Sequence, residues 1–218
     1  MSLASLDIVL ESVLTRHKVI GSTTLIIDPA QNRDGFFTAF ASLGWQLRRI
    51  TLRLQPEEQT DLYEAGLVAP ERLTIAELAR TRLLRQSLSL LPDTDRAGLV
   101  HELFRGGDNA ERETVLKVLP LLPEPQHFLE TALDACRSAV QTTVEAITCD
   151  NVYPTRYFSP DAFRGMVLKA LHLGLPLARI YDLARHIDSE MARMAADYAN
   201  ELRAACRPVP ADIVLISR

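Results

Sequence analysis

Cysteine is scarce and scattered. Cys136, Cys149 and Cys206 are the whole complement, with no CxxC pair and no Cys/His cluster at zinc spacing. That excludes a disulfide framework and points to a reducing compartment without a structural metal. Also lacking is any apolar run of the roughly 18 residues that a membrane span needs. The opening MSLASLDIVLES has no basic leader and is interrupted by Asp7 and Glu11, so no signal peptide is expected. Nor is there an excess of positive charge: 24 basic against 28 acidic residues give a formal net charge of -4. A protein that coats nucleic acid needs a strong positive field, so no nucleic-acid partner is expected. GxGxxG, GxxxxGKS/T, HExxH and GxSxG are all missing, and no acidic pair stands where it would form a hydrolytic dyad. The expectation is a cytoplasmic protein that does not span a membrane, with no cofactor and no catalytic signature.

What is present is a chain of 218 residues, 47% of them hydrophobic, enough to fill a proper core. Leu3, Leu6, Leu10, Val13, Leu14 and His17 recur at helical spacing and predict a first helix that stops near Gly21. STTLIIDP reads β-like, but a single such run has no partner strand, so it is taken as an extended connector. A helix after Asp34 carries Phe36, Phe40, Leu43, Leu47 and Ile50 on one stripe. Thr74 and Glu77 form a capping box that opens a helix to about Leu91, apolar on two sides and therefore expected to be covered on both. Asp93 or Thr94 caps the next, with Gly106-Gly107 expected to supply the left-handed residue that ends it. Asp108 and Glu111 begin another. The apolar stripe from Phe128 to Ile147 predicts one long helix. Ser159-Pro160-Asp161 opens a helix to about Gly174, and Met191, Met194, Ala195, Tyr198, Ala199, Leu202 and Ala205 mark a last one. No linker divides the chain. The fold class expected is all-α, a single domain over residues 1–218 built as a two-layer stack of antiparallel helices, a HEAT- or armadillo-like right-handed superhelix.

Between two of these helices sits NVYPTRYF, rich in side chains that an ordinary connection avoids. Tyr153, Arg156 and Tyr157 are suited to stacking on a planar ligand and gripping its carboxylate or phosphate. The preferred alternative is a structural plug in which Arg156 pairs with a carboxylate such as Asp197. Lys169 and His172 are neighbours on the following helix and would suit a base or an anion-binding pair; against this, a histidine on a mostly buried helix usually bonds a carbonyl. Arg48, Arg49, Arg53, Arg80, Arg82 and Arg85 make the first half locally basic, which reads as a solvated face, except that Arg82 falls on the Ile75 and Ala79 side and must find a partner or snorkel.

Asn151-Val-Tyr153-Pro154-Thr-Arg156, then Val167-Leu168-Lys169-Ala170 and Pro176, then MARMAADYANELRAACRPV, resemble in order the motifs of the EboA family of metabolite traffic proteins. FFTAFASL, RRITLRLQPEE and LTIAELARTRLL resemble it more loosely, so the resemblance spans about residues 34 to 210. It implies a non-enzymatic adaptor or carrier that helps export a secondary-metabolite precursor, with the products of neighbouring gene-cluster members as partners and a small aromatic or prenyl-type metabolite as cargo; the alternatives are an enzyme acting on such a metabolite through a Lys169/His172 pocket, or a protein-protein scaffold with no small ligand. The family's motif positions correspond here to Asn151, Tyr153, Pro154, Arg156, Lys169, Asp197 and Tyr198, without an assigned role. Where the family has a glycine before the final Arg-Pro-Val, this chain has Cys206.

Overall fold

The computed structural model describes residues 3–19 and 27–217, with side chains from residue 5 onward. Most of the STTLIIDP segment lies outside the described residues. The chain divides into two compact units, Met1–Thr131 and Ala132–Arg218. Among the described residues every regular element is helical, and there is no strand.

The N-terminal unit is assembled around α4. Its helices are α1 (Leu3–Arg16), α2 (Arg33–Leu47), α3 (Pro56–Ala65), α4 (Ile75–Ser89), α5 (Asp93–Gly106) and α6 (Asn109–Val118). Thr74 Oγ1 accepts the Glu77 N–H at 3.2 Å and Glu77 Oε2 accepts the Thr74 N–H at 2.6 Å, the reciprocal bonding that starts α4. From Ile75 to Arg85 every residue of α4 is buried, because α1, α2 and α6 all pack on it. This bears out a helix covered on both sides. Leu10, Val13, Phe36, Phe40, Leu78 and Leu84 lie at the centre, each fully buried. On α2, Trp45 faces outward and is 66% exposed.

Two expectations are corrected here, and one helix was unforeseen. Of the expected basic face, Arg48, Arg49 and Arg53 are exposed, but Arg80 and Arg85 are buried, alongside Arg82, which was expected to need a partner. Arg85 holds Asp7 through Nε at 2.7 Å and also donates to the Leu121 carbonyl, and Arg82 meets Glu11 at 3.3 Å. Gly107 is extended, with φ -72°, so it does not end α5 by a left-handed turn. A Cβ there would fall 2.8 Å from the Leu103 carbonyl oxygen and 2.9 Å from Glu111 Cβ. The glycine is needed for close approach rather than for its dihedral freedom. α3 was not foreseen. Its PEEQTDLYEA sequence buries only Glu58 and Leu62, too few positions to make a stripe, although Pro56 at its first turn marks the start.

The C-terminal unit contains α7 (Leu129–Cys136, which begins just before the unit), α8 (Gln141–Thr148), α9 (Tyr153–Tyr157), α10 (Pro160–His172) and α11 (Ser189–Ala204). The long helix expected from Phe128 to Ile147 is thus two helices. Ser138 is the cause: its Oγ accepts the Val140 N–H at 3.0 Å, and the Arg137 and Ser138 N–H groups have switched to three-residue turns on Asp134 and Ala135. A serine that offers the backbone a local bond competes with the helix, and Val140 is left extended. Val144, Phe163, Val167, Met191, Ala195 and Ile216 form the core of this unit. Ser159 caps α10 and Asp188 caps α11, each accepting an N–H from the first turn.

Candidate functional site

The NVYPTRYF segment is a helical turn, α9, rather than an irregular loop. Asn151 builds its entrance. Its Nδ2 donates to the Ala146 carbonyl at 3.1 Å and its Oδ1 accepts the Tyr153 N–H at 2.9 Å, so one buried side chain joins the end of α8 to the start of α9. Pro154 then fixes the first turn. Tyr153 is fully buried, with Tyr157 tilted against it at 4.6 Å and Phe158 edge-on at 6.4 Å. Burial and the neighbouring Tyr157 push the Tyr153 hydroxyl well above the usual phenol range.

Arg156 departs from the expected plug. It is exposed and has no side-chain partner among the described residues, while Asp197 pairs with Arg193 at 2.6 Å on its own helix. The guanidinium that ties this region together is Arg179, which sequence reasoning missed. Its Nη2 lies 2.7 Å from Asp150 Oδ2, a second nitrogen reaches Glu145, and its carbonyl accepts the Asp150 N–H at 2.8 Å. Burial disfavours the charge, but the hydrogen bonds to Asp150 and Glu145 outweigh it and hold Arg179 above its ordinary pKa. Asp150 sits in the left-handed region, with φ +52°, which aims its carboxylate at the arginine.

Lys169 and His172 do lie on one strip of α10, away from Phe163, Val167, Ala170 and Leu171, which are buried. Neither lines the clefts described below. His172 is exposed, its Nδ1 3.3 Å from the Tyr198 hydroxyl of α11, and Lys169 is half-buried without a side-chain partner among the described residues. The candidate residues therefore separate into two sets. Asn151 and Tyr153 are internal framework, with Tyr157 packed on it, whereas Arg156, Lys169, His172, Asp197 and Tyr198 carry polar groups outward.

Among the described residues, two clefts of about the size of a small molecule bear on the site. One, about 280 Å³, lies beside α9 and is walled by Phe158, Pro160, Phe163, His186 and Ile187, with Arg185 and Asp188 supplying charge. His186 stacks on Phe163 at 4.6 Å. The second, about 400 Å³, is in the N-terminal unit, between the end of α2, the start of α4 and α6. Its residues come from three separate stretches of sequence, which is why no local pattern revealed it.

These features define an all-α protein with ligand-sized clefts and an outward polar strip along α10 and α11. The chain belongs to the EboA family: the family model described as metabolite traffic protein EboA matches residues 10–216. That reaches further toward both ends than the motif resemblance over about 34 to 210, and takes in the second half of α1. No curated protein and no solved structure matches the chain. Among the described residues no helix is long and apolar enough to cross a membrane.

Proposed function

We propose that the chain is a non-enzymatic, cytoplasmic adaptor or carrier in metabolite traffic, one that presents a secondary-metabolite precursor to the products of neighbouring genes. The observation that supports this most is the splitting of the family-motif residues. Asn151 and Tyr153 stiffen the α8 to α9 junction, while Lys169, His172 and Tyr198 face outward, the last two joined by a 3.3 Å contact. Residues that serve a reaction converge on a cleft with a reacting atom's width between them; these form a ridge suited to a partner surface. The cleft beside α9, walled by Phe158, Phe163 and His186, fits a single aromatic ring as cargo. For the helices we propose antiparallel two-layer stacking of the HEAT or armadillo kind.

The test is co-purification with the gene-cluster neighbours, followed by native mass spectrometry. A bound neighbour protein or an unmodified aromatic or prenyl-type molecule is expected. Lys169→Met and His172→Ala should weaken retention of the neighbour while leaving the helical signal intact. Turnover of the bound molecule, abolished by either substitution, would replace the carrier with an enzyme, since a proton-transfer group supplies about 100- to 10,000-fold in rate.

A further inference from the structure

In the N-terminal cleft, cations and carboxylates gather around an apolar surface. Arg48, Arg72, Arg80 and Lys117 line it against Glu77 and Glu113. Glu111 stands 3.6 Å from Arg80 Nη2. Glu77 is already committed, its Oε1 to Lys117 at 2.7 Å and its Oε2 to the Thr74 N–H at 2.6 Å.

Arg80 is the informative residue. It is only 3% exposed, yet its Nε and Nη2 are held by the carbonyl oxygens of Phe40 and Ala41 at 2.9 and 3.3 Å. Those are neutral acceptors, which fix the direction of a guanidinium without cancelling its charge. Its Nη1 has no acceptor among the described residues. Burial lowers the Arg80 pKa although Glu111, Asp108 and Glu77 all act to raise it, so the charge is under-compensated where it sits. Gly44 makes the placement possible, because a Cβ there would fall 2.6 Å from Arg80 Nη2.

We propose that this cleft binds a small organic anion, with its carboxylate or phosphate on Arg80 and Arg48 and its compact apolar body against Leu47, Ile50, Ala76 and Ala110. The volume of about 400 Å³ lies within the range of small-molecule sites, roughly 300–1,000 Å³. A planar oxyanion matches the guanidinium fork, and the exposed Arg48 gives the anion a first contact on entry. The assignment does not rest on the traffic role, which could hold with this cleft unused.

Isothermal titration of the full chain with benzoate, phenyl phosphate, inorganic phosphate and benzyl alcohol tests it. Benzoate or phenyl phosphate should bind saturably, and whichever binds tighter assigns the head group. Benzyl alcohol should not bind, and inorganic phosphate should bind about tenfold more weakly because it leaves the apolar wall uncovered. Arg80→Gln should abolish binding. Should that variant fail to fold, Arg48→Gln decides: the side chain is exposed, so the melting temperature should hold while affinity falls about 5- to 20-fold. Equal binding of benzyl alcohol, equal binding of inorganic phosphate, unchanged affinity in Arg48→Gln, or no binding of either organic anion at millimolar concentration would each overturn the proposal.

Discussion

Among the described residues, five other than glycine hold left-handed backbone: Lys18, Glu124, Asp150, Asp182 and Cys206. In three of them the conformation is matched by an ion pair from the same side chain, Glu124 with Arg96 at 2.9 Å, Asp150 with Arg179 at 2.7 Å, and Asp182 with Arg185 at 3.5 Å. Cys206 has no such compensation. It follows α11, with its N–H donating to the Arg203 carbonyl and the Arg207 N–H to the Leu202 carbonyl at 2.8 Å, the helix ending in which glycine is favoured. The family's glycine at this position thus has a physical reason. Cys206→Gly should stabilise the protein by about 0.5–1 kcal/mol, read as a melting temperature raised by about 1–4 °C. Arg156 and Arg179 make the complementary pair of tests. Arg156→Ala, at an exposed site, should change stability by less than about 0.5 kcal/mol. Arg179→Ala should cost about 1–3 kcal/mol by leaving two half-buried carboxylates without their donor. Equal melting curves for the two variants would remove Arg179 from its place at the junction.

Among the elements, what the sequence disclosed was local. The reciprocal bonds of Thr74 with Glu77 and of Asp108 with Glu111, and the Ser159 cap, involve residues three apart, so residue type and spacing were enough to place the starts of α4, α6 and α10. The division of α7 from α8 was hidden because apolar spacing runs unbroken through Ser138, and the deciding bond is a side-chain oxygen meeting its own backbone. Arg179 was hidden because its partners Asp150 and Glu145 lie 29 and 34 residues away, and long-range pairing leaves no periodicity. The start of α11 carries a testable pH dependence. Hydrogen bonding from the Arg164 guanidinium and then from the Met191 N–H holds the Asp188 carboxyl down to about 2, against an ordinary 3.8. The folded state therefore binds fewer protons than the unfolded state between those values, and stability falls as pH drops through that window. Above about pH 4 the contribution is fully present. Asp188→Asn keeps a capping oxygen but cannot titrate, so its melting temperature should decline less steeply than that of the native protein between pH 4 and 2. Parallel declines would place the acid sensitivity elsewhere.

For the molecule as a whole, the contrast between an acidic total and an arginine-rich first half resolves once Arg80, Arg82 and Arg85 are placed inside, where they serve α1, α2 and the turn after α6 rather than a solvent face. Composition could bound the charge of the protein but could not say which side of the surface each charge occupied. The fold class was legible because helical spacing is a property of neighbours; the 400 Å³ cleft was not, because it is a property of segments that meet only after folding. One consequence concerns Trp45, the only tryptophan in the chain, which is 66% exposed on α2. Its indole is already hydrated in the native state, so its emission wavelength should move little when urea unfolds the chain, while far-ultraviolet dichroism at the same urea concentrations reports a cooperative loss of helix. Mismatched curves from the two probes, which would ordinarily suggest an intermediate, here arise from where the fluorophore sits. The same indole would shift to the blue if a macromolecule covered the outer face of α2, which makes it a natural optical label for docking and a poor one for unfolding.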